Sequence, residues 1–310
     1  MRRTWRWGAL ALAVTLSAVS GSSVDATARK DFVRYADDSC LGEDEEYYVC
    51  APWRLSLRNG KVIRLKEARV FTGPGRGARA PFALSPHGSK AAYFRLKDGA
   101  LVVRDVTTGV ARAVPGIKWP VELPLQIGLS PGGRFVTLRG DHLEPRRVLD
   151  TVTGRTHPLP ALRVPWSFSP DNAYLLAYEG DNTVVVYSTA DWSVVRKVRT
   201  PPGALHMNGT TIAYIDRGHR RDGTHRIRFV DLATGRPAEA PLEIPFGEEG
   251  RWLLWDRAGN LDLLTRVTES SHGDLTTFRW RRASDDMRVL DTFTNRSRDE
   301  IDVIAGLPDL

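Results

Sequence analysis

Apolar residues occur along this chain in short runs, and the runs are entered by turns of one repeated design. Phe82-Ala83-Leu84-Ser85-Pro86-His87-Gly88 leads into Ala91-Ala92-Tyr93-Phe94. Ile127-Gly128-Leu129-Ser130-Pro131-Gly132-Gly133 leads into Phe135-Val136-Thr137-Leu138. Trp166-Ser167-Phe168-Ser169-Pro170-Asp171-Asn172 leads into Tyr174-Leu175-Leu176-Ala177-Tyr178. Two looser copies run from Leu205 to Ile215 and from Leu253 to Leu264. Runs this short, bounded by Pro, Gly and Asn and rich in β-branched and aromatic residues, predict strands rather than helices.

A second turn alternates with the first, as Asp105-Val106-Thr107-Thr108-Gly109, Asp150-Thr151-Val152-Thr153-Gly154 and Asp231-Leu232-Ala233-Thr234-Gly235. Looser versions lie at Leu57–Gly60, Tyr187–Asp191 and Arg282–Asp286. The Asp side chain accepts from the turn's own N–H groups and the closing Gly takes the positive φ, which is hairpin chemistry. Ser85, Ser130 and Ser169 stand 45 and 39 residues apart, so each period holds four strands and two hairpins. That is the period of a propeller blade.

The turns resemble those of the WD40-like family in its bacterial PD40/TolB-type form, over roughly residues 47–305. The Trp-Asp dipeptide is replaced by Arg104-Asp105, Leu149-Asp150 and Val230-Asp231. The resemblance implies an all-β single propeller, and interaction with partners more often than catalysis. Five inner hairpins against six outer ones leave the segment Ile301–Ala305 unpaired at the far end. If it supplies the innermost strand of the first blade, the ring closes between the chain's two ends and leaves no open array of sheet edges. The expectation is six four-stranded blades, with seven as the alternative.

The composition is that of a globular chain: 42% hydrophobic and 26% charged, with 27 Gly and 19 Pro to punctuate strands. Residues 1–28 read as a signal peptide, with basic Arg2, Arg3 and Arg6, an apolar stretch from Gly8 to Val19, and Ala26-Thr27-Ala28 for cleavage after Ala28. The Arg2-Arg3 pair leaves Sec and twin-arginine export both open. The apolar stretch is shorter than the about 20 residues of a membrane span. Domain boundaries are then a leader at 1–28, an N-terminal extension at 29–46 and a propeller at 47–310, in a secreted chain. Removing the leader leaves 41 basic against 36 acidic residues. That mild, scattered excess argues against nucleic acid as a partner. Cys40 and Cys50, the only cysteines, are expected to form a disulfide in an exporting compartment. Their acidic neighbours Glu43 to Glu46 are hard ligands, poorly matched to thiolates in a metal site.

No motif for catalysis stands in its required context. Gly128-Leu129-Ser130-Pro131-Gly132 spells a nucleophile elbow, yet a strand follows it instead of a helix, and Ser85 and Ser169 repeat it. The glycine-rich Gly73–Gly77 with Arg79 opens no helix, so no phosphate cradle is expected. No cofactor and no metal are expected either. The polar candidates are Asp141, His142 and Glu144 in one blade, Glu179 and Asp181 in the next, and His219, Arg220, Arg221, Asp222 and His225 in the one after. Each set connects the second and third strands of its blade, so all would gather on one rim. That rim is the candidate binding surface for a protein or glycan partner, on a non-enzymatic binding or scaffold module. A hydrolase or lyase using the channel and a TolB-like envelope accessory protein are the alternatives. The inner strands read as apolar. Of the tryptophans, Trp119 and Trp192 are expected to be the exposed ones.

Overall fold

The computed structural model describes residues 32–41, 47–72, 79–119, 125–140, 146–160, 163–218, 225–267, 276–295 and 303–304. At 39–41, 47–51, 125, 140, 295 and 303–304 the description covers the backbone alone. The described residues hold strands and turns and no helix.

The chain begins with β1 (Val33–Leu41), β2 (Tyr47–Leu57) and β3 (Val62–Leu65). It continues through β4 (Phe82–Leu84), β5 (Lys90–Phe94), β6 (Ala100–Asp105) and β7 (Ala111–Lys118), the second blade. The third is β8 (Leu125–Leu129), β9 (Phe135–Gly140), β10 (Arg147–Asp150) and β11 (Thr156–Pro158). The fourth is β12 (Val164–Phe168), β13 (Tyr174–Gly180), β14 (Thr183–Ser188) and β15 (Val194–Arg199). The fifth is β16 (Ala204–Leu205), β17 (Thr211–Asp216), β18 (Arg226–Asp231) and β19 (Arg236–Pro237), with β20 (Leu242–Glu243) also paired to β18. The sixth is β21 (Glu248–Trp255), β22 (Leu261–Val267), β23 (Thr276–Arg282) and β24 (Arg288–Asn295). Last comes β25 (Val303–Ile304), which pairs antiparallel with β1 through Tyr35↔Ile304 and Ala36↔Val303. The first blade therefore runs β25-β1-β2-β3, and the protein is a six-bladed propeller closed by its two ends. Residues 33–41, read from sequence as an extension ahead of the propeller, supply the second strand of that closing blade.

Packing shows the same ring. Each junction between neighbouring blades holds one buried apolar cluster. Trp53 and Leu55 of the first blade meet Phe82 and Tyr93 of the second. Phe94 and Leu101 meet Val136 and Leu149. Phe135 and Val148 meet Leu175 and Val185. Leu176 and Val186 meet Ile212 and Val230, and Phe229 meets Leu263. Leu264, Phe278, Trp280 and Phe293 of the sixth blade pack on Tyr35 of the first, whose ring stacks on Phe293 at 5.6 Å. Along one strand the faces alternate: Ala91 and Tyr93 turn to the first blade, Ala92 and Phe94 to the third. Both faces of a middle strand are buried, which is why these strands are continuously apolar.

The turns work as their residues predict. Ser85, Ser130 and Ser169 are 0% exposed, and their Oγ atoms accept the N–H of Lys90, Phe135 and Tyr174 at 3.0, 3.0 and 2.9 Å. Gly88, Gly133 and Asn172 complete the turns at φ 72, 72 and 62. In the second design Asp105 Oδ1 accepts from Thr107 N and Thr108 N, both at 3.0 Å, and Asp150 Oδ1 accepts from Val152 N at 2.9 Å. The other oxygen of each Asp binds a cation at the start of the second strand, Lys90 or Arg134. Burial works against ionisation of both, yet these partners hold the two carboxyls below the ordinary range.

Candidate functional site in the channel

The innermost strands enclose a channel of about 1220 Å³ on the axis. Phe82, Leu84, Ile127, Leu129, Phe168 and Leu253 line it, as the sequence suggests. Leu205 is instead 1% exposed and packs between the fourth and fifth blades.

One end of the channel differs in chemistry from the rest. At the start of the innermost strand, the register slips by one residue in two blades. In β12 the slip falls between Pro165 and Ser167, so Trp166 is the extra residue. In β21 it falls between Gly250 and Trp252, so Arg251 is the extra residue. The inner pairings of β4, β8 and β16 carry no such slip. A bulge of this kind re-aims side chains and ends regular pairing, and it recurs near functional sites. Here Trp166 and Trp252 line the channel while remaining 53% and 49% exposed. Trp166 is braced by the edge of Tyr178 at 6.4 Å, and Ser167 Oγ donates to the Gly203 carbonyl of the next blade at 2.8 Å.

These two are the exposed tryptophans, and not Trp119 and Trp192. Trp119 packs on Phe94 under the guanidinium of Arg69, and Trp192 stacks on His157 at 4.4 Å. The reason is local. Trp192 takes the positive-φ place of its turn (φ 61), which folds its ring back over the neighbouring blade.

Five arginines line the channel, and no acidic side chain does so among the described residues: Arg79, Arg139, Arg217, Arg251 and Arg266. Arg79 is held by the buried Asp38 at 2.9 Å. Arg251 and Arg266 share Glu249, at 3.0 and 2.7 Å. Burial pushes the Glu249 carboxyl up, but the two guanidinium groups outweigh it and hold it below the usual range. Arg139 and Arg217 have no polar partner among the described residues. Arg139 lies opposite Gln126, also in the lining, and Arg217 directly follows β17. The inner-strand sequence alone hides Arg139 and Arg217, because they come from the second strands or their ends. Period-2 counting would have found them: Thr137 and Arg139 alternate inward, as do Ile215 and Arg217.

This end of the channel is the one to which the second strands β9, β13 and β17 run, and the sequence assigns its polar candidates to the connections that follow them. Of those candidates the structure describes three. Glu179 is bound by Lys197 at 2.7 Å and by Arg163 at 3.5 Å, and those partners, Lys197 foremost, lower its carboxyl pKa. Asp181, at φ 47, shares a two-residue turn with Asn182, at φ 54, between Gly180 and Thr183. Both positive angles make it the hairpin turn that suits twisted strands. His225 begins the approach to β18, and its carbonyl accepts from Ile244 N at 3.0 Å. Asp141, His142, Glu144, His219, Arg220, Arg221 and Asp222 lie outside the described residues. The side chains of Cys40 and Cys50 do too, although their backbones belong to the paired strands β1 and β2.

Ser130 is a turn clamp: it is fully buried and accepts from Phe135 N. No three His, Cys, Asp or Glu side chains converge among the described residues. No helix among them is long and apolar enough to cross a membrane.

No protein-family model matches the chain, and comparison with curated proteins finds no match. Among solved structures it is similar to TolB from Acinetobacter baumannii, at 16% identity over 86% of this chain and 65% of that one, with a TM-score of 0.49. It is also similar to Kuenenia stuttgartiensis hydrazine synthase, at 16% identity over 67% of this chain and 64% of that one, with a TM-score of 0.44. A third likeness is to Kluyveromyces lactis Hsv2, at 10% identity over 69% of this chain and 62% of that one, with a TM-score of 0.42. The chain spans less than two thirds of the length of each. Likeness this distant carries no functional argument, and the six-bladed architecture stands on the sheet topology itself.

Proposed function

We propose that this chain is an exported, non-enzymatic binding module that takes a protein or glycan partner at the arginine- and tryptophan-bearing mouth of its channel. One observation carries the reading: two register slips place Trp166 and the Arg251-Trp252 pair in the open channel lining, where both indoles stay about half exposed. Exposed tryptophan beside arginine is the composition of binding hot spots. The alternating Ser-Pro and Asp-x-x-Thr-Gly turns support a place among WD40-like proteins of the PD40/TolB type. The leader at 1–28 supports export. Two cysteines in an exported chain support a disulfide between Cys40 and Cys50.

The test is capture. The immobilised protein and its Trp166→Ala and Trp252→Ala variants are exposed to envelope and culture-fluid fractions of the organism of origin. A partner retained by the parent and lost with both variants supports the reading. Retention that ignores both substitutions, or turnover of a substrate in a hydrolase screen, overturns it.

A further inference from the structure

The mouth of the channel has an order around the axis that narrows the ligand chemistry, given the functional reading above. Three consecutive blades present a cation, an aromatic plane and a cation: Arg139 from the third, Trp166 from the fourth and Arg217 from the fifth. Gln126 stands opposite Arg139 in the third blade, and Trp252 lies in the sixth. Among the described residues neither outer guanidinium has a polar partner. An unpaired Arg in a partly enclosed site presents a fork of donors that matches a carboxylate in bidentate fashion. The indole between them is held on edge by Tyr178 and offers a flat apolar face.

We infer that the channel mouth binds an acidic saccharide: a chain of pyranose rings carrying carboxylates, with one ring laid on Trp166 and the acidic groups of its neighbours directed to Arg139 and Arg217. The C–H face of a pyranose is a rigid apolar plane that an indole covers. Its equatorial substituents project sideways, toward the flanking blades. Its hydroxyls suit Gln126, which can both donate and accept. An acidic peptide meets the arginines equally well but has no flat face to lay on the indole between them, and its carboxylates sit on flexible stems that must be ordered on binding. A neutral sugar meets the indole but brings no carboxylate to either guanidinium.

The experiment is a tryptophan-fluorescence and calorimetric titration of the purified protein with tetragalacturonate, its fully methyl-esterified form and tetraglutamate. Saturable binding of tetragalacturonate is expected, weaker by about tenfold or more on esterification, about tenfold weaker in Arg139→Gln and in Arg217→Gln, and accompanied by loss of the quench in Trp166→Ala. Both arginines are unpaired among the described residues and partly or fully exposed, so these variants leave no buried charge behind, and circular dichroism checks that they fold. Arg217→Lys, which keeps the charge but not the fork, is expected to fall between parent and Gln. Three outcomes overturn the inference: no saturable binding of tetragalacturonate, equal binding of its ester, or tetraglutamate binding as tightly. If a captured partner depends on Trp166 while tetragalacturonate fails, only the saccharide inference falls. If capture is indifferent to Trp166 and Trp252, the reading beneath it falls as well.

Discussion

Asp262, on the second strand of the sixth blade, is 3% exposed, and its carboxylate accepts from Arg282 Nε at 2.7 Å. Arg282 also reaches Asp256, another buried carboxylate, at 3.3 Å. Arg58 adds a cation from the closing blade, and burial lowers its own pKa to about 10. Burial dominates at Asp262: it raises the carboxyl from 3.8 to about 6, with Arg282 pulling down and Asp256 pushing up. The native state therefore holds this proton where the unfolded chain has lost it. Stability from the protonated form is complete below about pH 4 and lost as pH rises through about 6. The gap between the two values corresponds to about 3 kcal/mol, of which about 2–3 kcal/mol falls between pH 4 and pH 7. Asp262→Asn removes the titration and keeps an oxygen for Arg282. Urea unfolding followed by tryptophan emission, to which the buried Trp53 and Trp280 contribute, measures both proteins across that range. The variant is expected to gain about 2–3 kcal/mol on the parent between pH 4 and pH 7. Other carboxyls contribute equally to both curves and cancel in the difference. Two curves that run parallel from pH 4 to pH 7 would refute the account.

Glu248 has the opposite sign: burial raises it, but Arg281, Thr265 and Arg279 outweigh burial and bring its carboxyl down to about 2. Its stabilisation is present above about 4.5 and lost as pH falls toward 2, and Glu248→Gln, which strands two arginines, is expected to cost about 3–5 kcal/mol at pH 7 by the same assay. Ser130→Ala leaves the Phe135 amide without its acceptor in a buried turn and is expected to cost about 1–3 kcal/mol while leaving capture of a partner unchanged. Gly203→Ala puts a Cβ 2.1 Å from the Ala213 carbonyl oxygen and is expected to cost about 3 kcal/mol. Gly60→Ala, with nothing within 4 Å but φ at 85, costs about 1–2 kcal/mol; chemical denaturation ranks the pair.

What could be read from the chain was what its local chemistry determines. Ser85, Ser130 and Ser169 with their following Gly or Asn specify one hairpin without reference to anything distant. Five such inner hairpins against six outer ones, with the segment at 301–305 left over, then lead to closure by counting. The strand at 33–41 escaped because its middle reads Ala36-Asp37-Asp38-Ser39, a polar stretch with no sheet pattern. It becomes a strand through residues far along the chain: Asp38 is buried against Arg79, and Asp37 accepts from Arg54 Nε at 2.9 Å. The candidate site escaped for a related reason. Whether Trp166 packs between blades or enters the channel depends on a one-residue slip against β13, and a slip is a property of the pair of strands. The side chains that make that mouth chemically distinct come from strand positions and not from the connections the sequence singled out.

The two ends of the ring have separate tasks, and the hydrogen bonds show why. At the end with the short hairpins, each blade ties its two turns together. The N–H of Arg58, Val106, Thr151, Thr189, Leu232 and Ala283 donates to the carbonyl of Phe32, Ser89, Arg134, Ala173, Thr210 and Leu261, one bond in every blade at 2.7 to 3.0 Å. Every member of that set is backbone to backbone, so side chains there vary without loosening the joint. Among the described residues the opposite end repeats a bond in three blades alone, from the N–H of Trp119, Leu159 and Ile244 to the carbonyls of Gly99, Arg146 and His225. Its blades differ in connection length, in register and in the side chains they send inward. A ring laced at one rim leaves the other free to diversify blade by blade at small cost to the fold. Bulges that would weaken an isolated sheet are tolerated there because the interblade clusters and the laced rim hold the strands regardless. The arginine- and tryptophan-bearing mouth is thus suited to binding by its architecture as much as by its residues: it is the part of the molecule that stability leaves unassigned.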